Sequence, residues 1–145
     1  MFNVTISTPI ETRQMRGSAL ARRLRAEIAS AKKIFKDASG REPVLATLLV
    51  GRDPAALAYR ASIDRTFRKV EIEHRAIEED GDITNDQLIA RVKALNEDSS
   101  ITGVLVLMPL PDQLDPHVIL EYLSPLKDVD GITPVNAGRL HLGLP

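Results

Sequence analysis

Two predominantly apolar runs constrain this chain more than any other feature. Val44–Leu45–Ala46–Thr47–Leu48–Leu49–Val50 and Ile101–Met108 are each of strand length, and neither alternates apolar with polar residues. A strand that reads this way is covered on both faces, as in a parallel sheet sandwiched between helices. The segments between the runs have helical periodicity. Met15–Ala38 carries Leu20, Leu24, Ile28, Ala31 and Phe35 at helical spacing, and Ser39–Gly40 followed by Pro43 stops it. Asp53–Pro54 supplies an N-cap and a first-turn proline for a helix running to about Val70. Asn85–Asn96 presents Leu88, Ile89, Val92 and Leu95 on one face, and Asp115–Pro116 opens a short helix ending near Leu123. Glu73–Glu79 is a more polar strand candidate, suited to a sheet edge. From Pro125 onward the expectation is loop, with a short hairpin or strand around Arg139–Leu142.

The alternation predicts an α/β fold: a three-layer domain with a mostly parallel sheet and helices on both faces. At 145 residues the chain reads as one domain spanning 1–145, with no internal repeat or low-complexity linker. The net charge of −1 gives no reason to expect nucleic acid or an anionic membrane as partner. Cysteine is absent, which excludes disulfide and thiolate chemistry, and no apolar run reaches membrane-spanning length. Met1–Thr5 lacks the pattern of a signal peptide, so a cytoplasmic protein is expected.

Ligands of parallel α/β sheets bind outside the carboxyl ends of the strands. The candidate site is therefore built from Gly51–Pro54, Pro109–Leu110–Pro111 and Lys127–Asp128–Val129–Asp130–Gly131. Tyr59, early in the second helix, has two readings. It is a half-buried helix residue, or a ring that stacks on an aromatic ligand with its hydroxyl free to hydrogen-bond. Asp128 and Asp130 are spaced either for a turn in which one carboxylate bonds its own backbone, or for a carboxylate that grips a donor edge in a cleft. Lys127 reads as a solvated neighbour, and Arg22, Arg23 and Arg25 as the polar face of the first helix. His74, His117 and His141 show no metal-ligand spacing, so no metal is expected. Neither strong strand is followed by a GxGxxG fingerprint, and no nucleophile elbow occurs.

Seven elements in one order carry a family resemblance: Gly51–Arg52–Asp53–Pro54–Ala55, Tyr59, Leu95–Asn96–Glu97–Asp98, Gly103–Val104–Leu105–Val106, Pro109–Leu110–Pro111, Lys127–Asp128–Val129–Asp130–Gly131 and Asn136–Ala137–Gly138–Arg139. Together they resemble the N-terminal catalytic domain of the methylenetetrahydrofolate dehydrogenase/methenyltetrahydrofolate cyclohydrolase family. The resemblance implies a domain that binds a reduced folate through Tyr59, Asp130, Pro109 and Leu110. It also implies that NADP or NAD is held by a second Rossmann domain absent from these residues, in the same polypeptide or in a partner chain. No cofactor-binding residue is expected in the chain itself.

Three positions depart from the family pattern. The family places an acid/base lysine one turn after the tyrosine, and here that position is Ile63. The alignment from Gly51 to Tyr59 needs no gap, so neither Arg60 nor Arg65 slips into the role. A glutamine precedes the family's Leu-Pro-Leu-Pro and bonds that lysine; here it is Leu107. The serine of Asp-Pro-Ala-Ser is Ala56. Removing both members of a buried polar pair leaves no orphaned group, so the joint change is compatible with a stable fold. It leaves the chain without its proton-transfer residue. The resemblance therefore implies a folate-binding domain with cyclohydrolase activity lost or impaired, or a non-catalytic tetrahydrofolate-binding or regulatory module.

Overall fold

A computed structural model describes residues 16–144. Three parallel strands form its sheet: β1 (Val44–Val50), β2 (Glu73–Glu79) and β3 (Gly103–Val106), in the order β2-β1-β3. Helix α1 (Ser18–Ser39) precedes β1, α2 (Pro54–Lys69) joins β1 to β2, and α3 (Asn85–Glu97) carries the chain across to β3. Helices α4 (Pro116–Tyr122) and α5 (Pro134–His141) follow. This is the expected α/β class with helices on both faces of the sheet.

The alternation of β1 sorts its side chains into two cores. Ala46, Leu48 and Val50 face α3 and α4, where they meet Leu88, Val92, Leu95 and Ile119. Leu45 and Leu49 face α2 and pack with Ala56, Ile63, Leu105 and Leu107. Every residue of β1 is buried, as its predominantly apolar run requires. At the sheet edge, β2 is more exposed. Its buried polar exception is His74, whose Nε2 lies 2.9 Å from the Thr47 hydroxyl and whose Nδ1 lies 3.4 Å from Asp64. Thr47, fully buried in β1, thereby has its hydroxyl satisfied.

Local chemistry sets the helix boundaries. Asp53 Oδ1 accepts from the Ala56 amide at 2.8 Å, with Pro54 in the first turn. Thr84 and Gln87 form a reciprocal capping box at the start of α3, and Asp115 accepts from the His117 amide to start α4.

The structure differs from the sequence expectation in four places. The Arg139–Leu142 strand or hairpin does not form; this segment lies in or beside helix α5. Buried Thr133 caps that helix, accepting from the Asn136 amide, and Pro134 occupies its first turn. Strand β3 is shorter than Ile101–Met108, although Thr102 and Leu107 still donate across to Val44 and Leu48 beyond its ends. Helix α1 forms with its start at Ser18 (Met15 lies outside the described residues), but its apolar stripe is not buried: Leu20 is 50% exposed. Lys127 is not a solvated neighbour but caps α3, as set out below. No helix among the described residues is long and apolar enough to cross a membrane.

The segment after α4 returns to the sheet. Val104 donates to the Lys127 carbonyl at 2.7 Å, and a parallel bridge pairs Val104 with Asp128, laying residues 127–131 along the outer edge of β3. That approach requires a glycine at 103. A Cβ there would stand 2.3 Å from Cγ1 of Val129. We therefore expect Gly103→Ala to lower stability by about 1–3 kcal/mol, as overpacked sites do. Urea unfolding checks this, and the same exchange at Gly138, where a Cβ meets nothing within 4 Å, should cost less.

Candidate functional site

The Lys127–Gly131 segment divides its labour. Lys127 Nζ donates to the carbonyls of Leu95 at 2.8 Å and Asp98 at 2.7 Å, closing the C-terminal end of α3. Burial lowers the pKa of this ammonium, and the nearby Asp98 carboxylate opposes that shift. Asp128 takes the turn role. Its Oδ1 accepts from the Gly131 amide at 2.9 Å, and its Oδ2 from the Thr133 amide at 2.9 Å and the Asn136 side chain at 3.0 Å. Gly131 sits in the left-handed region at φ 71°. Burial pushes the Asp128 carboxyl up, but hydrogen bonds from Thr133, Asn136 and Ile132 outweigh it and hold the group below the ordinary aspartate range.

With its two neighbours committed to structure, Asp130 is left facing outward. It lines a cleft of about 430 Å³ together with Tyr59, Ile63 and Phe67 of α2, Leu45, Gly103 and Leu105 of the sheet, and Val129. Pro43, Val44, Ile72 and Thr102 complete the wall. Tyr59 is 57% exposed, so its ring face is accessible. The cleft thus lies over the α2 face of the sheet and reaches toward the starts of the strands, rather than outside their carboxyl ends. The cause is the return segment: it crosses beside Gly103, at the beginning of β3, and brings Asp130 to that side.

Of the residues singled out from the sequence, the structure brings Tyr59, Ile63 and Asp130 to one cleft. Pro109 and Leu110 are not among its lining residues. Leu110 is 8% exposed and packs on the opposite face with Leu48 and Ile119. Gly51 packs against Pro111 at the carboxyl ends of the strands, away from the cleft lining. Ile63, 8% exposed, and Leu107, 2% exposed, share one apolar cluster with Ala56. The three aliphatic departures therefore belong to one apolar cluster, and of the three only Ile63 lines the cleft. Phe67 is a wall residue that the motifs do not include, and Val129 lies inside the Lys127–Gly131 motif without a role assigned to it. Phe67 could have been found from its spacing, since it follows Ile63 by one helical turn. Among the described residues no group of three or more metal-ligating side chains occurs.

Comparison with known proteins places this geometry in a lineage. Residues 15–130 match the profile of the tetrahydrofolate dehydrogenase/cyclohydrolase catalytic domain. The chain belongs to that family. It is 44% identical over 128 residues to the bifunctional protein FolD of Acidovorax sp. (strain JS42), covering 88% of this chain and 45% of that protein. It is similar in structure to the bifunctional FolD methylenetetrahydrofolate dehydrogenase/cyclohydrolase of Campylobacter jejuni, with a TM-score of 0.83 and 37% identity over 88% of this chain and 45% of the other. The 5,10-methylenetetrahydrofolate dehydrogenase of the silkworm Bombyx mori superposes with a TM-score of 0.86 at 34% identity, covering 92% and 46%. The chain spans less than half the length of these family members.

The Asp128 network yields a pH test. A carboxylate whose folded pKa is depressed contributes stability that is present above its unfolded value, about 3.9, and lost as the pH falls through the folded value. Asp128→Asn should lower stability at neutral pH by roughly 1–3 kcal/mol, because its two oxygens together accept from several donors that an amide cannot all satisfy. Below about pH 4 the variant should lose stability less steeply than the parent. Urea midpoints measured from pH 7 to pH 2.5 provide the check; parallel curves would assign the acid sensitivity to other carboxylates.

Proposed function

We propose that this chain is the reduced-folate-binding catalytic domain of a methylenetetrahydrofolate dehydrogenase/cyclohydrolase-type protein of cytoplasmic one-carbon metabolism, with cyclohydrolase chemistry lost or impaired. Dehydrogenation then requires a nicotinamide-binding domain, from the same polypeptide or a partner chain, to hold NADP or NAD. The observation that carries the reading is the partition within one site: Tyr59 and Asp130 line an accessible cleft, while Ile63 and Leu107 beside it pack in one aliphatic cluster. In this reading Tyr59 stacks on the ligand's ring system and Asp130 accepts from its donor edge. Isoleucine at 63 cannot move a proton, so hydration of a methenyl bridge lacks its general acid/base. Direct hydride transfer from substrate to cofactor does not need that group. The Trypanosoma brucei relative, at 26% identity, was solved in complex with NADP and an inhibitor, in keeping with a nicotinamide site elsewhere in such proteins.

A second reading, a non-catalytic tetrahydrofolate-binding or regulatory module, draws on the same aliphatic cluster. The two readings separate on whether adding the nicotinamide-binding domain of a relative yields NADPH from methylenetetrahydrofolate.

Calorimetry with tetrahydrofolate should show binding that weakens in Tyr59→Ala and in Asp130→Ala, the latter by about 1.5–3 kcal/mol for a lost charge-assisted hydrogen bond. Equal binding by all three proteins, or none by the parent, would refute the assignment of the cleft.

The aliphatic pair can be tested separately. Ile63→Lys alone should destabilise the fold, because position 63 is 8% exposed and the side chains it packs among are all apolar. Adding Leu107→Gln should recover part of the loss, so the two changes are non-additive. With a positioned acid/base typically giving 10²–10⁴-fold, the double variant should hydrolyse methenyltetrahydrofolate above the parent's background, with Ala56→Ser as a third change where needed. Thermal melts of the four variants and decay of the methenyl absorbance report both effects; additive melting shifts would mean that positions 63 and 107 do not interact.

A further inference from the structure

The charge of the cleft carries information that its shape does not. Among the described residues that line it, one is a carboxylate, Asp130, and none is lysine, arginine or histidine. Two aromatic rings, Tyr59 and Phe67, stand in the wall, and the remaining surface is dominated by aliphatic side chains. The neighbouring cations do not line the cleft. Arg41 reaches the wall through the Thr102 hydroxyl at 3.2 Å, while also lying 5.4 Å from the Phe35 ring centroid. Arg60, next to Tyr59, is paired with Glu78. Lys127, next in the chain to the Asp128 turn, is tied to the α3 carbonyls.

A carboxylate, aromatic faces and an apolar floor are what a flat delocalised cation prefers. It gains a charge-assisted hydrogen bond at its edge and quadrupole attraction at its face, and it is weakly enough hydrated to enter an apolar cleft. An anion of the same shape meets a like charge and, among the described lining residues, no cationic side chain. We propose that the Tyr59–Asp130 cleft selects planar cationic ligands of the amidinium class over neutral ligands of the same shape. The inference rests on the folate reading only for where the ligand sits. Joined to that reading, it makes the methenyl form of the reduced folate, whose bridge is cationic, the preferred occupant over the methylene form, whose bridge is neutral; the bridge nitrogens carry no N–H, so this preference acts through the aromatic faces and the field of Asp130 rather than through a hydrogen bond. Ile63 contributes by placing no ammonium beside that cation.

The test uses the full chain and two matched pairs of ligands. Benzamidine and benzamide are nearly isosteric and differ in charge. Titrated against the protein and followed by amide NMR shifts at Tyr59, Ile63, Leu105 and Asp130, benzamidine should bind about tenfold tighter, the lower end of a charge-assisted bond at an exposed rim. Asp130→Asn should remove most of that preference, and Tyr59→Leu should reduce it while keeping an apolar wall. Asp86→Asn, an exposed change on α3 that alters net charge equally, should leave it intact. Equal binding of the pair, shifts at these residues from neither ligand, or a preference that survives in Asp130→Asn overturns the proposal. The second pair, methenyl- and methylenetetrahydrofolate, is measured in parallel. A benzamidine preference with no binding of either folate upholds cation selectivity and removes the folate reading. Binding of both folates with equal affinity, and no benzamidine preference, does the reverse.

Discussion

Strand β1 is covered on both faces, and this constraint organises the rest of the molecule. Because side chains alternate along a strand, a fully buried one must have two cores, and each core needs its own helix layer. Helix α2 covers Leu45 and Leu49, whereas α3 and α4 cover Ala46, Leu48 and Val50. The edge strands follow from this. Strand β2 is tolerated as a polar edge because β1 supplies the core, and β3 takes the other side. The cleft lies on this α2 side: Tyr59, Ile63 and Phe67 form one wall over the starts of β1 and β3, with Val129 and Asp130 on the far bank.

The return segment shows how a short motif can be mostly scaffold and still define a site. Lys127, Asp128 and Gly131 are all consumed in holding the backbone: one closes α3, one gathers the amides that start α5, and one supplies the left-handed turn. A carboxylate that accepts from this many donors has little left to offer a ligand. Its neighbour two positions on, with no hydrogen bond or ion pair to its side chain among the described residues, is the one available for recognition. The two aspartates look equivalent in sequence, and only the placement of donors separates them.

This marks how far the residues alone could be read. Elements with a strong local signal were legible. The apolar run of β1, the Asp53–Pro54 start of α2 and the periodic Leu88–Val92–Leu95 face of α3 each state their structure within a few residues. The resemblance rested on motifs of the same kind and carried the family. What could not be read was set by distant contacts. Helix α5 reads as loop from the residues alone because Gly138 inside a short helix weakens its periodicity, although Thr133 and Pro134 start it. The role of Lys127 depends on carbonyls about thirty residues earlier in the chain, at Leu95 and Asp98. The displacement of the site from the carboxyl ends toward the starts of the strands depends on a single bridge, Val104 to Asp128, that no pattern within either segment announces.

The aliphatic cluster that Ile63 shares with Leu107 bears, under the proposed function, on how such a site can change without collapse. A buried lysine facing leucine, or a buried glutamine facing isoleucine, would each leave a polar group without a partner at a cost of a few kcal/mol. A route through either single change is therefore uphill in stability, whereas the end state with both aliphatic is not. Ala56, packed in the same cluster, belongs to the same settlement. The groups retained at the rim, Tyr59 and Asp130, are under no such coupling: one is largely solvent-facing and the other makes no side-chain bond within the described residues. Chemistry that depends on a buried polar network is lost or kept as a unit, while recognition at an exposed rim persists residue by residue. Under the proposed function, that asymmetry lets a cleft keep its recognition groups without a proton-transfer group and still be stable.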